Sequence, residues 1–291
     1  MAMPDTGAAR RLLEQGRVIR VPCAYDGFSA RIAEQAGFPV VALSGNAVSG
    51  SVLGLPDIGL LGMWENVEHS GRIARSLGVP LLCDADTGYG GVMNVARTVR
   101  EFEAAGVAGI NLEDQVTPKR CGILPQGIPV VPQAEHVQKI RAAVEARQSR
   151  DFLIIARTDA MSMHGLEDAA RRARAYVEAG ADAALVVGAN TPEELRRVAA
   201  VVRAPLVTVI HEKPPTTELT DHLLNEVGFV FALHAGVARY AMVKALRTVL
   251  GALRRDGSTK GVRDMMASFE EYNAVLGTDE WLALEEKYAE G

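Results

Sequence analysis

The segment EAAGVAGINLED (residues 103–114) decides the fold. Its first residues have helical character, and Gly106 suits the left-handed position just past a helix C-terminus. The run that follows is short, apolar on nearly every residue, and ends in two acids. A strand buried on both faces reads this way. The same unit recurs as EQAGFPVVALSG (34–45), RSLGVPLLCDAD (75–86), VEAGADAALVVG (177–188) and NEVGFVFALHAG (225–236). RVIRVPCAYD (17–26), DFLIIARTD (151–159) and APLVTVIHE (204–212) complete eight candidate strands. Amphipathic helical patterns fill the intervals at 92–105, 133–147, 166–179 and 191–202. The last of these opens on TPEEL, an N-cap followed by proline and acids. Strict alternation of strand and helix predicts a parallel sheet, and eight units predict a closed α/β barrel of the (β/α)8 type. The alternative, an open doubly wound sheet, lacks a GxGxxG fingerprint after an early strand.

The chain has 291 residues, 48% hydrophobic and 23% charged, which is enough to fill one barrel core. A single domain over 1–291 is expected, with the barrel at about 10–250 and a C-terminal helical extension at about 251–291. Net charge is −5 with no block of Lys or Arg, so nucleic acid is not an expected partner. No run approaches the roughly 18 apolar residues of a membrane span, and the N-terminus carries no apolar leader. Three cysteines, Cys23, Cys83 and Cys121, show no paired spacing. A disulfide framework and a zinc site are therefore not expected, and a reducing cytoplasm is. The helical tail, from YAMVKALRTVLGALRRDG to DEWLALEEKYAE, exceeds what one barrel needs. Its apolar faces cover either the barrel's own base or a second subunit.

In such barrels the chemistry gathers at the C-terminal strand ends. Strand 2 ends in Ser44-Gly45-Asn46, strand 3 in Asp84-Ala85-Asp86, and strand 4 in Asn111, Glu113 and Asp114. Strand 5 ends in Arg157-Thr158-Asp159, strand 7 near His211 and Glu212, and strand 8 in His234. Carboxylates on adjacent strand ends repel unless a cation sits among them. Oxygen ligands with water suit Mg²⁺ or Mn²⁺. Arg157 offers a fork for a carboxylate or phosphate, or else a structural pair with Asp159 or Glu113. Successive backbone N–H groups at 44–46 can cradle an anionic oxygen. Together these imply a site for a small polyanion and an enolate stabilised by a Lewis acid. Between Glu113 and Gln133 the Gly/Pro-rich segment EDQVTPKRCGILPQG (113–127) and its continuation read as a lid over that site. Its Cys121 is a candidate proton donor. Lys119 and Arg120 are expected to lower the thiol pKa or to neutralise substrate charge. His234 is a candidate to bind a departing carboxylate or relay a proton.

At these residues the chain resembles the isocitrate lyase / phosphoenolpyruvate mutase superfamily. VPCAYDGFSARIAEQAGF, LGLPD (53–57), CDADTGYG (83–90), EFEAAGVAGINLEDQ (101–115), PKRCG (118–122) and IIARTDA (154–160) carry the resemblance, which spans about residues 10–250. It implies a (β/α)8 barrel with a last helix swapped between subunits, in dimers that pair to tetramers. It implies Mg²⁺ at Asp84 and Asp86, with Glu113 reached through water, and a pyruvate-like enolate on Ser44, Gly45 and Arg157. Lyases of this kind that split methylisocitrate, isocitrate or dimethylmalate carry a Lys-(Lys/Arg)-Cys-Gly-His loop. Here Lys119, Arg120, Cys121 and Gly122 match, and Ile123 stands at the His position. The Glu and Asn that these lyases place on strands 6 and 7 align with Val187 and Val209. The later segments EAGADAALVVGA and VFALHAGVARYAMVKA look like the oxaloacetate decarboxylase branch, with His234 and His211 at its strand-8 and strand-7 positions. The resemblance thus implies a Mg²⁺-dependent carbon–carbon lyase acting on a small 2-oxo or 2-hydroxy carboxylate or dicarboxylate. The alternatives are a phosphonate-type phosphomutase or phosphonopyruvate hydrolase, and a non-catalytic ligand-binding barrel.

Overall fold

The computed structural model describes residues 5–121 and 127–289. Eight parallel strands close into one barrel in chain order. They are β1 Ile19–Ala24, β2 Val41–Leu43, β3 Leu81–Asp84, β4 Gly109–Glu113, β5 Leu153–Thr158, β6 Ala183–Val186, β7 Leu206–Ile210 and β8 Phe229–His234. The helices are α1 Gly7–Glu14, α2 Gly27–Gln35, α3 Gly45–Val52, α4 Met63–Ala74, α5 Val92–Ala104, α6 Gln133–Ala146, α7 Met161–Glu178, α8 Pro192–Val202, α9 Asp221–Glu226, α10 Val237–Asp256, α11 Phe269–Leu276 and α12 Thr278–Ala289. All eight expected strands are present, and the barrel is the one the alternation predicts.

The alternation of side chains along each strand builds two layers. Val21, Cys23, Leu153, Ile155, Leu185, Val207 and Phe231 fill the barrel interior together with partly buried Val187 and Val209. The opposite parity, including Leu81, Cys83, Ile110, Leu112, Ile154 and Ala156, meets the inner faces of the surrounding helices. Each fully buried Leu, Ile or Phe contributes about 1.5–3 kcal/mol. The interior set stops short of the C-terminal strand ends, where charged residues of the same parity take over.

The helix signals behave as their chemistry dictates. Thr191 caps α8, accepting from Glu194 N while Glu194 Oε2 accepts from Thr191 N at 2.9 Å. The expected helix at 166–179 begins earlier, at Met161. Gly165, with φ 79°, carries the backbone through a kink that no other residue adopts cheaply, so one helical face restarts there. In the tail, Lys260–Met265 is a 3₁₀ segment, and the α-helix resumes only at Phe269 behind the Ser268 cap.

The tail divides its apolar surface. α11 folds onto α2 of its own barrel, with Tyr272 against Phe28 at 5.1 Å between ring centroids and Arg31 Nε donating to Val275 O at 2.6 Å. α10 leaves a stripe uncovered: Tyr240, Val243, Leu246, Leu250 and Leu253 recur at helical spacing, each 40–56% exposed. Phe269 and Trp281 are exposed as well. Among the described residues no helix is long and apolar enough to cross a membrane.

Candidate active site

The barrel register alone brings the acids together. Asp84 lies beside Asn111 across β3–β4, and Glu113 lies beside Arg157 across β4–β5. Asp84 Oδ1 accepts from Asn111 Nδ2 at 2.9 Å, and Asp84 Oδ2 accepts from Gly45 N at 3.3 Å. Past Asp84 the chain turns sharply, and Asp86 sits at φ 50°, a left-handed conformation that a residue with a Cβ adopts only under constraint. Both carboxylates then converge over Gly45. A Cβ there would stand 2.8 Å from Asp84 Oδ2 and 3.2 Å from Asp86 Oδ1, so only glycine lets them approach.

Arg157 is the centre of the cluster. Its Nε and Nη2 both donate to Asp159, at 2.8 and 2.9 Å, and its Nη1 reaches Glu113 at 3.1 Å and Asp84 at 3.7 Å. Of the two readings of Arg157, the pairing with Asp159 and Glu113 is what the structure displays. Lys119 is the second cation. It is only 4% exposed, and its Nζ bridges Asp57 at 2.7 Å and Asp86 at 2.6 Å. The lid residue thereby sits inside the acid cluster, and Cys121 N donates to Asp57 O at 3.1 Å beside it.

Asp114 leaves the cluster. Strand alternation turns it outward while Glu113 turns in. Asp114 accepts from Thr158 Oγ1 at 2.7 Å, Tyr176 OH at 2.8 Å, Asp159 N at 3.0 Å and Arg172 Nη1 at 3.4 Å. Asp57 and Asp159 join the site instead. Asp57 could not be placed from strand ends, because it comes from the β2–β3 connection; Asp159 keeps the inward parity of Leu153, Ile155 and Arg157.

Five carboxyl groups (Asp57, Asp84, Asp86, Glu113, Asp159) thus face two cations (Lys119, Arg157). Burial pushes Asp86 up to about 7 against the pull of Lys119, with Asp84 and Asp57 adding repulsion. Burial likewise raises Glu113 well above its usual range, despite Arg157. Asp84 goes the other way: burial opposes its ionisation, but Lys119 and Arg157 hold it below the ordinary carboxylate value. Glu113 Oε1 is buried without a hydrogen-bond partner, while Glu113 Oε2 and Asp86 Oδ1 meet only the cations Arg157 and Lys119. A buried cluster with more carboxyl groups than cations, and one carboxyl oxygen unused, suits a hard divalent cation. Among the described residues no group of three His, Cys, Asp or Glu is gathered tightly enough to form a complete protein cage. Mg²⁺ needs none, since it keeps several waters and takes one or two carboxylates directly. Asp84 and Asp86 over Gly45 fit direct or near-direct ligands, and Glu113 fits a water-bridged one.

Cys121 stands at the edge of this cluster. Asn46 Nδ2 donates to its Sγ at 3.2 Å, and the Arg239 guanidinium in turn holds Asn46 Oδ1. The net lowering of the thiol pKa expected from Lys119 and Arg120 is not found. Burial raises it above the ordinary thiol value, Asp57 adds to the rise, and Asn46, Lys119 and Arg157 counter only part of it. Lys119 is committed to Asp57 and Asp86, and Arg120 turns away to donate to the carbonyls of Ile58, Pro118 and Lys119. The Cys121 group is therefore a thiol, not a thiolate, at neutral pH. The base of the lid is zipped by an antiparallel bridge between Gln115 and Val130 and by Val116 N donating to Pro129 O at 2.9 Å. Gly122 and Ile123 lie outside the described residues.

Ser44 forms the N-cap position of α3, so Gly45 and Asn46 open that helix at the mouth. His211 is half-buried on the β7 side. Burial lowers its pKa, with Lys213, Arg157 and Arg239 adding repulsion. His234 is not drawn into the acid cluster. Its Nδ1 pairs with Glu212 Oε1 at 2.9 Å, and it shares strand parity with Ala232, which belongs to the outer layer. Arg239, two residues into α10, is a site residue that strand-end reading missed. Its one signal is its position just after the β8 loop.

A family model described as phosphoenolpyruvate phosphomutase matches residues 9–253. The 2,3-dimethylmalate lyase of Eubacterium barkeri is 39% identical over 289 residues, 99% of this chain and 100% of that protein. A 2-methylisocitrate lyase of Aeropyrum pernix is 40% identical over 268 residues, 92% of this chain and 86% of that one. Among solved structures, oxaloacetate acetylhydrolase in complex with 3,3-difluorooxalacetate superposes with a TM-score of 0.90 at 34% identity, covering 98% of each chain. Phosphonopyruvate hydrolase in complex with oxalate and Mg²⁺ superposes with a TM-score of 0.88 at 34% identity, over 98% of this chain and 99% of that one.

Proposed function

Because this chain belongs to the phosphoenolpyruvate mutase/isocitrate lyase superfamily, we propose that it is a divalent-cation-dependent carbon–carbon lyase for a small 2-hydroxy or 2-oxo carboxylate or dicarboxylate. The relatives named for dimethylmalate and methylisocitrate cleavage support the lyase class. The observation that carries the reading is the Cys121 thiol, kept protonated and held by Asn46 at the edge of an acid cluster with more carboxyl groups than cations.

A bound Mg²⁺ or Mn²⁺, held by Asp84 and Asp86 and through water by Glu113, would supply Lewis-acid stabilisation of charge building on a substrate oxygen. The chain's own groups do the rest. Arg157 and the first backbone N–H groups of α3, at Gly45 and Asn46, orient the carboxylate end. Lys119 closes over the bound anion and excludes water as the lid seats on Asp57. As the carbon–carbon bond of a 2-hydroxy substrate breaks, the hydroxyl proton passes to a carboxylate of the cluster, the hydroxyl carbon becomes the carbonyl of the 2-oxo product, and the bonding pair leaves on the α-carbon of the other fragment as an enolate. The Cys121 S–H then gives its proton to that carbon, leaving a thiolate that solvent reprotonates on opening. A thiol pKa above the ordinary value favours this acid role.

Val187 and Val209 line the β6–β7 wall of the interior with methyl groups. An apolar wall favours a substrate with an alkyl substituent, or with one carboxylate fewer than methylisocitrate. It also lacks a group to receive a phosphoryl unit, which disfavours phosphonate chemistry. The uncovered stripe on α10 supports assembly into a homo-oligomer through the tail. The deciding experiment is a 2-oxo acid product assay with Mg²⁺ across dimethylmalate, methylisocitrate, oxaloacetate and phosphonopyruvate. Turnover of one of the first three is expected. Turnover of phosphonopyruvate alone would sink the lyase reading.

A further inference from the structure

Outside the barrel mouth, the start of α5, the first turns of α6 and the two legs of the lid enclose a cleft of about 450 Å³. Its lining includes Gly91, Val116, Thr117, Val130, Glu135 and Lys139. Lys139 is 5% exposed, and its ammonium makes no hydrogen bond among the described residues. The one carboxylate within 4.0 Å of its Nζ is Glu135, one turn back and largely exposed. With its nearest carboxylate 4.0 Å away, the Lys139 ammonium at the cleft has no close counter-charge. Burial accordingly draws the Lys139 pKa below the ordinary lysine value.

A second feature adds positive potential. α6 is a 14-residue helix whose N-cap is Pro132, which has no side chain to accept from the free N–H groups of the first turn. Pro132 also lines the cleft, so the positive end of the α6 dipole borders it. The remaining wall is apolar, made by Val116, Val130 and Val131. The cleft thus offers one buried cation, a helix N-terminus and a methyl-lined floor, within the size range of small-molecule sites.

We propose that this cleft is a second small-molecule site, for a small organic anion with its carboxylate or phosphate head on Lys139 and its apolar body on Val116, Val130 and Val131. Because these valines belong to both legs of the lid, an occupant braces the lid's base. Occupancy does not depend on which reaction the barrel mouth performs.

Thermal unfolding of the intact chain tests this, with hexanoate and butyl phosphate as probes. Saturating oxalate and Mg²⁺ are present throughout to keep the barrel mouth filled. Hexanoate or butyl phosphate should raise the Tm saturably in the unaltered chain, and the tighter of the two identifies the head group. Lys139→Met should abolish that shift. Glu135→Gln, which removes the competing acid, should tighten probe binding several-fold. Equal shifts in the unaltered chain and Lys139→Met, or no shift in either, overturn the proposal. If Lys139→Met does not fold, Glu135→Gln decides alone: unchanged probe affinity overturns it.

Discussion

The Asn46 carboxamide donates to the Cys121 thiol across 3.2 Å, and its orientation is fixed because Arg239 holds the other end of the amide. An N–H donor favours the thiolate over the thiol. Asn46→Ala should therefore raise the Cys121 pKa further and slow its alkylation by iodoacetamide several-fold at pH 8. Asp57→Asn removes a neighbouring anion and should speed alkylation instead. Alkylation rates against pH for the three proteins check this. Superimposable profiles would show that the Asn46 contact does not tune the sulfur.

Cys121→Ser should slow carbon–carbon cleavage that ends in enolate protonation by about 10²–10⁴-fold, the span assigned to a positioned general acid. It should scarcely alter decarboxylation of oxaloacetate, whose enolate can take its proton from solvent after release. Steady-state rates on both substrate types decide the matter. Equal losses on both would remove the proton-donor role.

Asp84→Ala should lower turnover by at least about 10²-fold, comparable to losing a main electrostatic stabiliser. It should also weaken Mn²⁺ binding measured by electron paramagnetic resonance, a readout independent of turnover. Full activity of the unaltered protein in excess chelator would contradict the cation's role.

His136 supplies a pH prediction. Burial, aided by the charge of Lys139, lowers its pKa from 6.5 to about 3. The unfolded chain binds a proton near pH 6.5, whereas the folded chain binds it only near pH 3. Folding stability is thus fully present above pH 6.5 and falls as pH drops through that window, by about 1.4 kcal/mol per unit for one proton. His136→Phe keeps the edge contact with Tyr176, whose ring centroid is 4.5 Å away, and should flatten this part of the acid limb. Urea unfolding midpoints at pH 7 and pH 5 give the comparison. An unchanged difference would place the acid sensitivity elsewhere.

The barrel was legible because its signal is periodic: eight apolar runs alternating with helical patterns, most of them introduced by a glycine or proline, leave little choice of fold. Glu113 and Arg157 were legible because strand register makes them neighbours. Asp57 and Arg239 were not, because each reaches the site from a connection or a helix start whose path no local pattern fixes. Asp114 was misplaced for the opposite reason, since composition sees two adjacent acids but only the pleat separates their directions. The Cys121 pKa was misread because Lys119 and Arg120 adjoin it in sequence, while in space one is bound to Asp57 and Asp86 and the other points to backbone carbonyls.

Glu113 and Asp114 share one peptide unit, the first facing the acid cluster and the second gripped by Thr158, Tyr176 and Arg172. That unit works as a rivet through the barrel wall, so the position of an inward group is set from the outside. Anyone retooling this scaffold can vary Val187 and Val209 to reshape the substrate wall while the inner face of α7 stays frozen. A random library that spares the mouth but alters Tyr176 or Arg172 will lose activity without touching a single residue that meets the substrate.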